Sequence, residues 1–391
     1  MTRRIRFVFC LIATLSAAAL AQTASNSSPV AFVYVSSNPS HDSYEINAFA
    51  AASDGSLTAV SGSPFAAKVQ SMAVNQQYLF GTNGYPGNGI NDIYSFSIAA
   101  DGSIDKVASI NAQKFNGAHC GGPVSLFLDN TGSTLYDLDF DGNICANNTY
   151  QSFSIDGATG KLRYLSASLP SEEFQLQLSF MANNVFAYGS ACYQMYSVIY
   201  GFQRDSHGGL IALKIDPPIP DAQLGAFYCT YGAATDRSNH VAISVLPLSG
   251  STFQQAGPTQ LATYTADSSG NLTTTSTFFN MPVSSISYVS DIKMSPSGKL
   301  LAVAGSAGLM AAAGLQVFHF NGANPITHYT GLIVKEPVDQ MFWDNDNHLY
   351  AISHSAGMLH VFTITPTSVS EAPGSPYTIA NPKNITVLPK I

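Results

Sequence analysis

Two kinds of segment alternate along the chain. The first is an apolar run, a polar turn and a second apolar run that ends in small residues. It reads VQSMAVNQQYLFGTNG from Val69, PVSLFLDNTGSTLYDLD from Pro123 and EFQLQLSFMANNVFAYGS from Glu173. It recurs as TYGAATDRSNHVAISV from Thr230, VSDIKMSPSGKLLAVAGS from Val289 and PVDQMFWDNDNHLYAISHS from Pro337. The second segment alternates apolar and polar residues, turns, and resumes, as in IYSFSIAADGSIDKV from Ile93 and LATYTADSSGNLTTT from Leu261. Period-two alternation about Asp-Gly or other Gly-bearing turns predicts β-hairpins. Strands of the first segment are named A and B here, those of the second C and D.

Seven C/D units begin at Tyr44, Ile93, Tyr150, Ile199, Leu261, Leu315 and Met358, against six complete A/B units. The seventh A/B unit is divided between the ends of the chain. AFVYVSS from Ala31 supplies its strand B and ITVLPKI from Ile385 its strand A. Such a split predicts an all-β, seven-bladed β-propeller of four antiparallel strands per blade. Its first and last strands share one blade, which removes the open sheet edge. Residues 31–391 then form one domain, since a single blade cannot bury both of its faces.

Composition agrees. The chain has 391 residues, 46% of them hydrophobic and only 10% charged, against about 25% charged in typical proteins. A disordered chain, which needs low hydrophobicity and high charge, is excluded. Arg3, Arg4 and Arg6 precede an apolar stretch from Phe7 to Leu20, and Ala19-Leu20-Ala21 follows the A-x-A cleavage pattern. Residues 1–21 are expected to be a signal peptide and 22–30 an N-terminal extension of the mature chain, which is then secreted or periplasmic. No further stretch predicts a membrane span. Cleavage removes three of the 16 basic residues and none of the 24 acidic ones, leaving a net charge of −11. Such a chain repels polyanions, so nucleic acid is not an expected partner. A monomer is expected.

Four cysteines remain after residue 21. An even count in an exported chain favours disulfides. In a four-stranded meander the D-to-A and B-to-C loops share one face. Cys120 lies before a strand A and Cys145 after the following strand B; Cys192 lies after a strand B and Cys229 before the next strand A. The expected pairs are therefore Cys120–Cys145 and Cys192–Cys229. The same face carries Asp137-Leu138-Asp139-Phe140-Asp141-Gly142. Asp137, Asp139 and Asp141 have the spacing of the first half of a calcium loop, although Asn148 stands where the closing acid belongs. Ca2+ is the one cofactor this predicts. His354, after a strand B on this face, is a candidate partner at the central channel.

Gly62-Ser63-Pro64-Phe65 and Gly374-Ser375-Pro376-Tyr377 close the first and last C/D units, and Ser295 to Lys299 forms an S-P-S-G-K turn. This pattern resembles the lactonase-like seven-bladed propellers, which include 6-phosphogluconolactonase and the propeller-type muconate cycloisomerase. By that resemblance His119, Asp137 and Asp141 match catalytic positions. The family's Pro-Arg-His run and its glutamate in the next blade are replaced by Phe174-Gln175-Leu176 and Ser190-Ala191-Cys192. Three function classes follow: a recognition scaffold for a carbohydrate, peptide, other small molecule or envelope protein; a sugar-lactone hydrolase using His119, Asp137, Asp141 and His354; and an exported protein without ligand.

Overall fold

The computed structural model describes residues 28–40, 42–83, 91–112, 122–140, 149–168, 177–193, 196–223 and 225–390. Within them lie seven antiparallel sheets of four strands, two of which gain a short fifth strand. Blade 1 joins Pro382–Pro389 as strand A to Ala31–Ser40, Ser43–Ala51 and Leu57–Ala59. Strand A of the other blades is Ser71–Val74, Gly122–Leu128, Ser179–Phe180, Ala226–Thr235, Tyr288–Met294 and Gln340–Trp343, in blades 2 to 7. No helix among the described residues is long and apolar enough to cross a membrane.

The ring closes as the split repeat predicts. Phe32 pairs with Leu388, Val33 with Val387 and Val35 with Ile385. The apolar residues of strand B alternate between the two neighbouring blades. Val33 and Val35 pack toward Tyr350 and Ile352 of blade 7, while Phe32 and Tyr34 pack toward Leu79 and Phe96 of blade 2.

Two polar devices hold the ring together, one between blades and one within them. The first uses a buried tyrosine on strand B that donates its hydroxyl to the C–D turn of the next blade. Tyr34 bonds the Gly102 carbonyl at 3.0 Å, Tyr136 that of Gly208 at 2.8 Å and Tyr188 that of Gly270 at 2.9 Å. These turns need glycine for two reasons. Gly102 has φ +88°, and a Cβ there would stand 2.5 Å from the Phe32 ring. The second device explains the G-S-P-aromatic endings. Ser63 Oγ accepts the Ala48 N–H and Ser375 Oγ accepts the Val361 N–H, both at 2.9 Å, so the tail of the unit is tied back to strand C.

Candidate functional site

Seven strands A surround a cavity of ≈ 670 Å³ on the ring axis, lined from Met72 in blade 2 round to Thr386 in blade 1. Each strand A has one edge that its own sheet leaves unpaired. Side chains of the neighbouring blade accept several of those N–H groups. Ser71 Oγ accepts from Leu126 N at 2.9 Å, Ser179 Oγ from Thr235 N at 3.0 Å and Asp291 Oδ2 from Met341 N at 2.8 Å. Gln340 Oε1 accepts from Ile385 N at 3.2 Å, and Asn384 Oδ1 from Met72 N at 3.0 Å. The polar residues of the channel wall are thus largely committed to closing the ring.

Among the described residues, charge on the wall is sparse. Lys293 Nζ lies 3.3 Å from Asp291 Oδ1 and 3.3 Å from Gln177 Oε1, so it reaches from blade 6 to blade 4. Asp129, at the far end, is held by Arg204 at 2.9 Å. Near the mouth, Asp339 Oδ2 accepts the His354 N–H at 2.7 Å, and Asp339 Oδ1 lies 3.5 Å from His354 Nδ1. His354 Nε2 is 3.0 Å from the Lys383 carbonyl. Burial lowers the His354 pKa below its ordinary value, against the opposing pull of Asp339. The ring is therefore poised neutral, with one nitrogen spent on a carbonyl of the closing strand.

Of the sequence-predicted residues that are described, His354 stands apart from Asp137 and Asp139, in a different blade. His354 stands at the mouth in blade 7. Asp137 and Asp139 lie on strand B of blade 3 (Thr134–Phe140), in regular ladder pairing with Gln151 and Thr149 rather than in a loop. Both are buried, and strand A of their own blade separates them from the channel. Burial, with the neighbouring Asp139, pushes the Asp137 carboxyl well above the usual carboxylate range. His119, Asp141 and the Cys120–Cys145 pair lie outside the described residues. The Cys192–Cys229 bridge is present, with Cα atoms 5.1 Å apart. Its cysteines lie within strand B of blade 4 (Phe186–Tyr193) and strand A of blade 5, not in the flanking loops, and so lock adjacent blades.

Sequence reasoning missed an aromatic and apolar rim over blades 5 and 6. Tyr288 opens strand A of blade 6 and is 42% exposed, while Val289 beside it already lines the cavity. Tyr231 lies close by: burial, and then Tyr288, raise its hydroxyl pKa. Phe253 in the B–C loop of blade 5 packs its ring 6.4 Å from Phe227. Leu309 and Met310 project from the B–C loop of blade 6, and Gln255 Oε1 accepts the Leu309 N–H at 3.1 Å. Phe279 is 94% exposed. Loop residues of this kind carry no period, so only their shared location makes them legible.

No family model matches this chain, nor does any curated protein sequence. Its fold is similar to that of solved structures at low identity. A candidate 6-phosphogluconolactonase of Bacteroides fragilis aligns with a TM-score of 0.60 at 11% identity, over 92% of this chain and 98% of its own. A second such protein, from Bacteroides uniformis, gives 0.59 at 11% over 92% and 99%. A protein from Lactobacillus plantarum gives 0.61 at 12% over the same shares.

Proposed function

We propose that this is an exported recognition propeller whose channel mouth binds a neutral carbohydrate on the rim formed by blades 5 and 6. The observation that carries this reading is the exposed Tyr288, set beside Tyr231 and next to Val289 of a channel wall that mixes apolar side chains with amides and hydroxyls. Aromatic faces supply apolar contact area, and a few polar groups fix orientation. A phosphorylated or carboxylated ligand would want a forked guanidinium. The three arginines beyond the N-terminal segment are placed elsewhere: Arg163 is on an outer strand D, Arg204 is paired to Asp129, and Arg237 is in an A–B turn. The Cys192–Cys229 bridge supports an oxidising destination.

A lactone hydrolase is the second reading. It is supported by the Asp339–His354 pair at the mouth and by the fold shared with candidate 6-phosphogluconolactonases. In it His354 would take a proton from water at Nδ1, the nitrogen that carries the lone pair while Nε2–H donates to the Lys383 carbonyl. The missing arginine turns this reading toward unphosphorylated lactones.

A neutral-glycan panel followed by calorimetric titration separates the two. Tyr288→Ala is expected to weaken the best ligand by about tenfold, or about 1.4 kcal/mol, with His354→Ala leaving affinity unchanged. Aldonolactone turnover above the spontaneous rate that His354→Ala abolishes would instead establish the hydrolase. Absence of any glycan binding would overturn the recognition reading.

A further inference from the structure

The repeat supplies its own internal comparison at one position. In blades 2 to 7 the A–B turn is closed by a bond to the carbonyl of Tyr78, Thr134, Phe186, His240, Leu300 and His348 respectively. In blade 1, Phe32 takes the same place, meeting Gly102 as Tyr78 meets Gly160. Three residues further along strand B the ring carries Val35, Gly81, Gly189, Ile243, Val303 and Ala351, all buried. Blade 3 alone places a carboxylate there, Asp137, with no exposed surface.

That carboxylate faces the interface with blade 2. Leu135, on the same side of the strand, packs against Phe80 and Ile93 of that blade. Among the described residues neither oxygen of Asp137 finds a hydrogen-bond partner. Gln151 lies opposite it on strand C (Thr149–Ile155) and is also fully buried. Its Nε2 donates to Asp139 Oδ2 at 3.2 Å, but its Oε1 finds no partner among the described residues. The fold can satisfy a glutamine at this place. In blade 6, Gln316 lies opposite Val303; its Oε1 accepts from Ser285 N and its Nε2 donates to the Thr330 carbonyl, both at 2.8 Å.

Buried polar oxygens without partners are costly, and a buried charge more so. A proton on Asp137 would remove its charge, and burial favours that form. It would supply a single donor, which can serve one acceptor and leaves the other Asp137 oxygen unanswered. A cation answers every orphaned oxygen at once. We infer that Asp137, Asp139 and Gln151 hold a calcium ion between blades 2 and 3. All three donors are hard oxygens, and two carboxylates balance a divalent charge. Calcium accepts six to eight oxygens in irregular geometry, with water completing the set, whereas magnesium demands a near-ideal octahedron. The ion would sit on a strand face, so it would act by clamping two blades rather than by ordering a loop. This inference is independent of what binds at the channel mouth.

The test is calcium titration of the chelator-treated full-length mature protein, read by calorimetry and by thermal melting. The expected result is one ion per chain, a rise in the melting temperature, and no such rise with magnesium alone. Asp137→Asn is expected to weaken calcium by at least about tenfold. Should that variant not fold, Gln151→Leu makes the same comparison. Absence of saturable calcium binding to the wild type, equal binding of magnesium, or affinity unchanged in either variant would overturn the assignment.

Discussion

At the scale of the residue, the blade interfaces are made specific by single buried polar groups. His348 is the clearest. Its Nδ1 lies 2.7 Å from Asp344 Oδ2, which also accepts the Tyr350 hydroxyl at 2.9 Å. Burial alone would lower the His348 pKa, but the bond to Asp344 and its charge outweigh burial and raise it above 6.5. The protonated form is therefore favoured in the folded state. Its contribution is complete below the unfolded value of 6.5 and fades as pH climbs through the higher folded value. The gap in unfolding free energy between wild type and His348→Gln should narrow as pH rises from about 6 to about 9, as measured by urea titration. A gap that widens would show that the neutral ring carries the interaction. Pairings of this kind are partly legible: the D-x-x-x-H spacing of Asp344 and His348 is visible, but the depth of burial that gives it weight is not.

At the scale of the element, each blade is a half-finished object. Its strand A offers an unpaired edge to the channel, and in blades 2, 4 and 5 the C–D turn offers a glycine carbonyl to the preceding blade. The Cys192–Cys229 bridge reinforces one such junction covalently. Closing a chain separation of 37 residues stabilises by roughly 4 kcal/mol on the loop-entropy estimate. Reduction, or Cys229→Ser, should lower the denaturation midpoint accordingly while leaving the far-ultraviolet circular dichroism unchanged at room temperature. An unchanged midpoint would mean that the inter-blade packing of Tyr188, Ile243 and Tyr264 already suffices. The pairing was legible because the order of strands in a meander dictates which loops share a face. That the cysteines lie inside strands was not, since small apolar residues such as Ala191 continue the ladder past the expected end.

At the scale of the whole molecule, stability depends on closing a circle. Strand A of blade 1 buries Ile385, Val387 and Leu388. Their burial contributes roughly 5 to 8 kcal/mol in total, comparable to the net stability of a typical domain. Asn384 adds its bond to Met72 N and its link to Gln340. Deleting residues 384–391 should therefore abolish cooperative unfolding and expose the Val33–Val35 edge to self-association. Size-exclusion chromatography and thermal melting would read this directly. A soluble monomer with a sharp transition would show that six blades hold without the seventh.

The seven-bladed ring, its closure across the termini and the Cys192–Cys229 pairing follow from the sequence by itself, because strand period, turn composition and strand order are local properties repeated seven times. The functional groups depend on another kind of information. The D-x-D-x-D string was visible, yet only packing reveals that Asp137 is sealed between blades, apart from the channel and from His354. The rim of Tyr288, Tyr231 and Phe253, and the Asp339–His354 contact, arise from residues that are distant in the chain or lie in aperiodic loops. Their juxtaposition is set by how blades stack around an axis, and no segment of the chain encodes that geometry alone.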